Sequence, residues 1–280
     1  MPSFSYDRAV AYYDATRSFA DGVAEQIRDA ILAQTQTTHE SRLLELGVGT
    51  GRIALPFAEA GYHITGIDIS LAMMREFVRK LAHLAPPLTC HLCQADITHL
   101  PFADATFDVV LAVHVLHLVD GWQQAIHEAR RVTRKPGGLF LVLYDGPPVQ
   151  TEGSQAGQVS PIEVVRQKWR DILKELGEEY GSHRPGLHSS DERVGHYLRE
   201  TGAEVATINL TEYEYPSLSP RDVVEHIRQR TYSADWHIPD AVHSETVRQL
   251  EAWLPEAFDE PDRPMRITGT LNAVVARWPG

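Results

Sequence analysis

The chain has 280 residues, enough for one large domain or one domain with sizeable insertions. A hydrophobic content of 43% with 23% charged residues is that of a globular protein and excludes wholesale disorder. The balance of 26 basic and 38 acidic side chains gives a formal charge of −12, which repels a phosphate polymer and argues for a small, neutral or cationic partner rather than a nucleic acid.

The opening MPSFSYDRAVAYYD has neither a basic start nor a continuous apolar stretch, so it does not read as a secretory signal. No apolar run approaches the roughly 18–20 residues that span a bilayer. With only two cysteines in addition, the expectation is a cytoplasmic protein without a membrane segment. Residues 19–34 carry Val23, Ile27, Ala30 and Ile31 at helical spacing. From 42 to 144, short apolar runs alternate with amphipathic stretches. Strands are predicted at 42–46, 63–68, 88–94, 107–113 and 139–144, and helices at 52–60, 71–84 and 121–131. This alternation describes βαβ units and a parallel sheet covered on both faces. After Tyr144 comes a loop rich in Pro, Gly, Ser and Gln. Helices are then predicted at 162–176, 191–201, 220–230 and 241–253, and strands at 205–215 and 265–278. The predicted fold is α/β: a Rossmann-like, doubly wound, mainly parallel seven-stranded sheet in one domain. Residues 1–38 form an N-terminal helical cover, 39–145 a ligand-binding core, and 146–189 and 217–262 helical lid insertions.

The strongest local signal is LLELGVGTGRIALPF at 43–57, an apolar strand that passes through Gly47, Gly49 and Gly51 into a helix. Glycines let the backbone turn sharply and approach a ligand, and the helix start presents free N–H groups. NAD, FAD and SAM (S-adenosylmethionine) proteins all use such a turn. Here the third glycine of the dinucleotide fingerprint would fall on Arg52, which points away from NAD. In HITGIDIS, Asp68 ends the second strand, where a carboxylate can accept hydrogen bonds from both ribose hydroxyls; its alternative role is to cap the next helix. In CQADITHLPF, Asp96 lies just past the third strand, placed to accept from an adenine amino group or to cap a turn, with Ile97 beside it to pack on the ring. The fourth strand ends near His114, and KPGG turns into the fifth.

Together these four features resemble the class I SAM-dependent methyltransferases, specifically the small-molecule branch called the type 11 methyltransferase-domain group. The resemblance covers about residues 40–145. It implies S-adenosyl-L-methionine as cofactor and methyl transfer to a small-molecule acceptor. It places Glu45, Gly47, Gly49 and Gly51 around the methionine part, and Asp68 and Ile69 at the ribose and adenine. Asp96, Ile97 and Met73 then fall at the adenine, and His114 beside the methionine end. The N-terminal YDRAVAYYD is similar to the segment that closes over SAM in this branch, which nominates Tyr6 and Tyr13. Pro56 departs from the pattern and is expected to disturb the helix after the glycine loop.

Methyl transfer to a sulfonium-activated carbon is largely a matter of positioning, and a base is needed only where the acceptor must lose a proton. His114 and His117 stand at the carboxyl edge of the sheet, where such a base would act, although His117 also fits a packed core position. Cys90 and Cys93 fall on a predicted strand rather than at a helix start, and no second pair exists, so neither redox nor zinc chemistry is expected. The pair His114 and His117 lacks the glutamate of a metalloprotease motif. Residues 168–179 read as a solvated helix face. Tyr213, Tyr215, Trp236, His237 and Trp253 fit acceptor-pocket lining and ordinary packing equally well. Two other functions remain compatible with the core: a non-catalytic SAM-binding protein and an NAD(P)-dependent oxidoreductase. The core residues are committed to SAM, so acceptor recognition is expected from the insertions, including the 162–176 helix, and from the N-terminal segment.

Overall fold

The computed structural model describes residues 6–84, 89–145, 150–151, 159–178 and 192–279. Five parallel strands form its centre: β1 (Arg42–Leu46), β2 (His63–Asp68), β3 (Cys90–Gln94), β4 (Val109–Val113) and β5 (Leu139–Asp145). Three more follow, β6 (Gln150–Thr151), β7 (Glu204–Leu218) and β8 (Met265–Arg277). The order is β3-β2-β1-β4-β5-β8, with β8 antiparallel to β5 and β7 antiparallel along the other edge of β8. The two-residue β6 pairs with β8 at Thr268 and Ile267, just beyond the Asp145↔Leu271 pair, so it prolongs the β5 edge after an interruption. Among the described residues the sheet thus has eight strands where seven are predicted, and the extra one lies in what the sequence presents as loop.

The central strands are buried on both faces, which is why RLLEL, VVLAV and LFLVLYD read as near-continuous apolar runs rather than alternations. Alternate side chains serve opposite layers. Leu43, Leu111 and Leu141 pack with Ile27 and Ile31 of α2 (Val23–Thr35), Phe57 of α3 (Ala54–Glu59) and Phe77 of α4 (Leu71–Leu81). Leu44, Val110 and Val142 pack with Ile126 of α5 (Trp122–Val132) and Leu198 of α7 (Glu192–Glu200). A short α1 (Tyr13–Arg17) precedes α2.

Helices α6 (Pro161–Glu175), α8 (Pro220–Arg228) and α9 (Asp240–Ala257) build a third cluster around Trp169, Ile227 and Leu250. Two serine caps fix its helix starts: Ser160 accepts from Glu163 N–H, and Ser219 forms a reciprocal capping box with Asp222. The helix after the glycine loop begins at Ala54 rather than at residue 52. Pro56 therefore sits in its first turn, where backbone N–H groups are short of intrahelical partners, and the expected disturbance is confined to a late start. Among the described residues no helix is long and apolar enough to cross a membrane.

Candidate active site

Strand order reverses between β1 and β4, and there the connections from the carboxyl ends leave in opposite directions and open a crevice. A cavity of about 340 Å³ occupies it, within the range usual for small-ligand sites. Of the residues expected from sequence, Tyr6, Tyr13, Gly47, Gly49, Asp68, Ile69, Met73, Asp96, Ile97, His114 and His117 all line this cavity. Glu45 and Gly51 do not.

Gly51 serves the loop rather than the cavity wall. Its φ is +82°, and a Cβ there would stand 2.2 Å from the buried Phe77 ring. Gly47, at φ +71°, would collide in the same way with Val115. A Cβ on Gly49 would meet nothing nearer than Met73 Cε at 3.5 Å, so a side chain there would project into open cavity. These three conformations aim the turn so that Gly49 N–H donates to Asp68 Oδ2 at 2.8 Å.

Asp68 closes the cradle. Its Oδ1 accepts from Ser70 N–H at 2.8 Å, and burial raises its carboxyl above the usual range against the pull of these amides. Capping of α4 falls instead to Ser70, whose Oγ accepts from Met73 N–H at 3.0 Å. Asp68 therefore holds the loop while keeping acceptor capacity toward the cavity. Asp96 Oδ1 accepts from Thr98 N–H and Thr98 Oγ1 at 2.9 and 2.8 Å, so it pins its own turn as well as lining the cavity.

Glu45 lies beneath the glycine loop, 3% exposed. Its Oε2 has no hydrogen-bond partner. Burial pushes this carboxyl up to about 8, with the Arg52 guanidinium pulling the other way. Cys90, on the neighbouring edge, is pushed up to about 12 by burial and by Glu45, which leaves it an inert thiol.

Among the described residues the roof is made by two chain segments. Thr50 Oγ1 donates to Asp14 Oδ1 at 2.6 Å, Lys80 Nζ lies 2.8 Å from Asp14 Oδ2, and Ser70 Oγ donates to Asp7 Oδ1 at 2.5 Å. These bonds tie the N-terminal segment to both sides of the cradle. The same segment reaches the third helical cluster: Tyr12 Oη donates to Arg230 O at 3.3 Å, Arg17 Nη2 to Thr231 O at 3.3 Å, and the Arg17 guanidinium lies 5.1 Å from the Tyr232 ring centroid. Tyr232 and Ser233 face the cavity from that side. No described residue of α6 does, because its apolar face is spent on α8 and α9. Residues 146–149 and 152–158 lie outside the described residues.

Arg17, Asp145, Tyr232 and Ser233 line the cavity without having been singled out in the sequence, and so does Arg52, which the sequence marked only as a departure from the dinucleotide fingerprint. Asp145 had a signal: it is the one carboxylate in the buried run LFLVLYD, at its carboxyl end.

Residues 44–142 match the family of methyltransferase domains. The chain is 26% identical to the sterol 4-C-methyltransferase strm-1 of Caenorhabditis elegans, over 88% of this chain and 68% of that protein. It is 33% identical to the demethylmenaquinone methyltransferase of Streptomyces griseus, over 52% of this chain and 61% of that one, less than two thirds of its length. Among solved structures, a phosphoethanolamine N-methyltransferase 2 from Haemonchus contortus in complex with S-adenosyl-L-methionine superimposes with a TM-score of 0.55 at 16% identity, covering 98% of this chain and 57% of that one. At that identity the likeness concerns the fold.

Proposed function

We propose that the chain, whose residues 44–142 match the family of methyltransferase domains, is a class I SAM-dependent methyltransferase that transfers the methyl group of S-adenosylmethionine to a small-molecule acceptor in the roofed cavity. One observation carries the choice of cofactor over a dinucleotide. The Gly49 N–H, which a pyrophosphate would need, is already given to the Asp68 carboxylate at 2.8 Å.

The residues fit the cofactor as follows. Asp68 would take the ribose hydroxyls, and Asp96 the adenine amino group, with Ile69, Met73 and Ile97 beside the ring. Gly47 and Gly49 leave room for the methionine part, and Glu45, sealed beneath the loop and off the cavity wall, would support that loop rather than touch the cofactor. Tyr6 and Tyr13 would close over the top and exclude water. Bound there, SAM would supply a methyl carbon made electrophilic by its sulfonium sulfur. The protein's share is to orient the acceptor in line and, where it is protic, to remove its proton at His114 or His117.

The chemistry printed in the relatives' names suggests the panel that tests this. Purified protein with methyl-labelled SAM should label at least one member of a set comprising a sterol, demethylmenaquinone, phosphatidylethanolamine, malonyl-acyl-carrier protein and a small-metabolite extract. S-adenosylhomocysteine should form in equal amount. Tight SAM binding with no labelled product in any arm would identify a non-catalytic SAM-binding protein instead.

A further inference from the structure

The methyl-transfer reading leaves unexplained why a carboxylate that binds no expected part of SAM stands in the same cavity. His114 directly follows β4 and Asp145 ends β5, adjacent parallel strands whose register pairs Val113 with Leu143. His114 has φ +49°, a conformation costly for a residue with a Cβ, and its N–H donates to Leu143 O at 3.3 Å. Its Nε2 then lies 3.5 Å from Asp145 Oδ1. Tyr213 Oη donates to that same oxygen at 2.7 Å. Tyr213 is on β7, two strands away from β5, with β8 between them. Its partner on β8 is Gly269, where a Cβ would stand 2.1 Å from the Tyr215 ring. The missing side chain opens the space over β8 that Tyr215 fills, and the Tyr213 and Tyr215 rings lie together there with centroids 4.7 Å apart.

Resting on the methyltransferase reading, the geometry points to His114 as a general base oriented by Asp145, itself anchored by Tyr213, acting on an acceptor methylated at a neutral hydroxyl oxygen. A neutral amine attacks with its own lone pair and can shed a proton afterwards, whereas a neutral hydroxyl needs its proton removed as the new bond forms. With Nε2 turned to Asp145, the imidazole carries its proton there and offers the Nδ1 lone pair. The acceptor's O–H proton passes to Nδ1, and the pair that bonded it stays on oxygen for the bond to the methyl carbon. The imidazolium formed is neutralised by Asp145 and later releases its proton to solvent. Asp145 remains charged throughout: burial works to raise its carboxyl, but the His114 imidazole and the Tyr213 hydroxyl hold it down at about 2. Burial and the Asp145 charge raise the Tyr213 hydroxyl far above its ordinary range, so it stays a donor. The other titratable or charged groups around the pair are Tyr215 on β7, Arg52 after the glycine loop, Arg17 from the N-terminal segment and His117 in the turn after β4.

Asp145 is thus a positioning residue, and the test is a spectroscopic reading of the ring tautomer that needs no acceptor. In full-length protein with ring-labelled histidine, the His114 nitrogen signals of the neutral imidazole, assigned through a His114→Gln sample, are compared in wild type, Asp145→Ala and Tyr213→Phe. Wild type should carry the proton on Nε2, and Asp145→Ala should lose that preference. Tyr213→Phe, which keeps the carboxylate but frees it, should keep the tautomer and broaden the ring signal. SAM affinity should stay within about threefold of wild type in both variants. An unchanged tautomer in folded Asp145→Ala overturns the pairing, and a joint loss of SAM binding would place Asp145 in the cofactor site instead. Labelling confined to amine nitrogen or to carbon in the panel above would overturn the hydroxyl assignment while leaving the methyltransferase reading standing. Failure of wild type to bind SAM, with the tautomer change intact, would sink that reading and not the pair.

Discussion

Asp68→Ala should weaken SAM binding at least about tenfold while the sheet and its three clusters survive. Hydrogen bonds to a charged acceptor are worth roughly 1.5–3 kcal/mol each, and the proposed ribose contact uses two. Even one of them lost outright gives about a tenfold change. The structure adds a second route to the same result. Asp68 also accepts from Gly49 N–H and Ser70 N–H, so the variant releases the turn that approaches the cofactor. The fold is spared because Ser70, not Asp68, caps α4 and because the space beside Gly51 is filled by the buried Phe77 ring, which does not depend on Asp68. Isothermal calorimetry with SAM, beside circular dichroism of the variant, checks both halves. A folded Asp68→Ala protein with wild-type affinity would reduce this residue to a support for its own loop.

Glu45→Gln should raise thermal stability in the ligand-free protein, and the gain should grow with pH. Burial holds the Glu45 carboxyl at about 8, against an ordinary value near 4.5 in the unfolded chain. Folding therefore favours its protonated form. The associated stability is full below pH 4.5 and is lost as pH rises through 8. Across that window the wild type gives up on the order of 3 kcal/mol that the glutamine variant keeps. The amide's own packing and hydrogen-bond cost does not titrate, so the slope of the difference isolates the ionisation. Melting temperatures should differ little at pH 5 and by roughly 5–10 °C at pH 8. A melting-temperature difference that is flat from pH 5 to pH 8 would mean that Glu45 is ionised in the folded protein.

What the sequence made legible was the chemistry carried by contiguous residues. Gly47, Gly49 and Gly51 can be read because each occupies a positive φ, and Asp68 because a parallel βαβ unit returns its second strand beside the first at a fixed distance along the chain. The apolar runs of β1, β4 and β5 marked the centre of the sheet for the same local reason. Contacts made by topology left no such trace. Tyr213 and Asp145 are 68 residues apart and meet only because β8 enters antiparallel between their strands. Arg17 and Tyr232 are joined by a latch between the N-terminal segment and the third helical cluster. The helix expected at 162–176 illustrates the limit from the other side. Its amphipathic period located it within a residue, but periodicity says only that one face is buried, not against what. That face packs on α8 and α9, so trimming this helix would remove the cluster's core rather than probe acceptor recognition; Tyr232 and Ser233 are the residues to substitute for that purpose.

The central claim is that the cradle closed by Gly49 and Asp68 is built for S-adenosylmethionine and not for a dinucleotide. Calorimetric titration of the wild-type protein with SAM, S-adenosylhomocysteine, NAD and NADP tests it most directly. Binding of the first two with no measurable heat from the others is the expected result, accompanied by a rise in melting temperature with SAM alone of the two cofactor classes. Micromolar binding of NAD or NADP with none of SAM would contradict it.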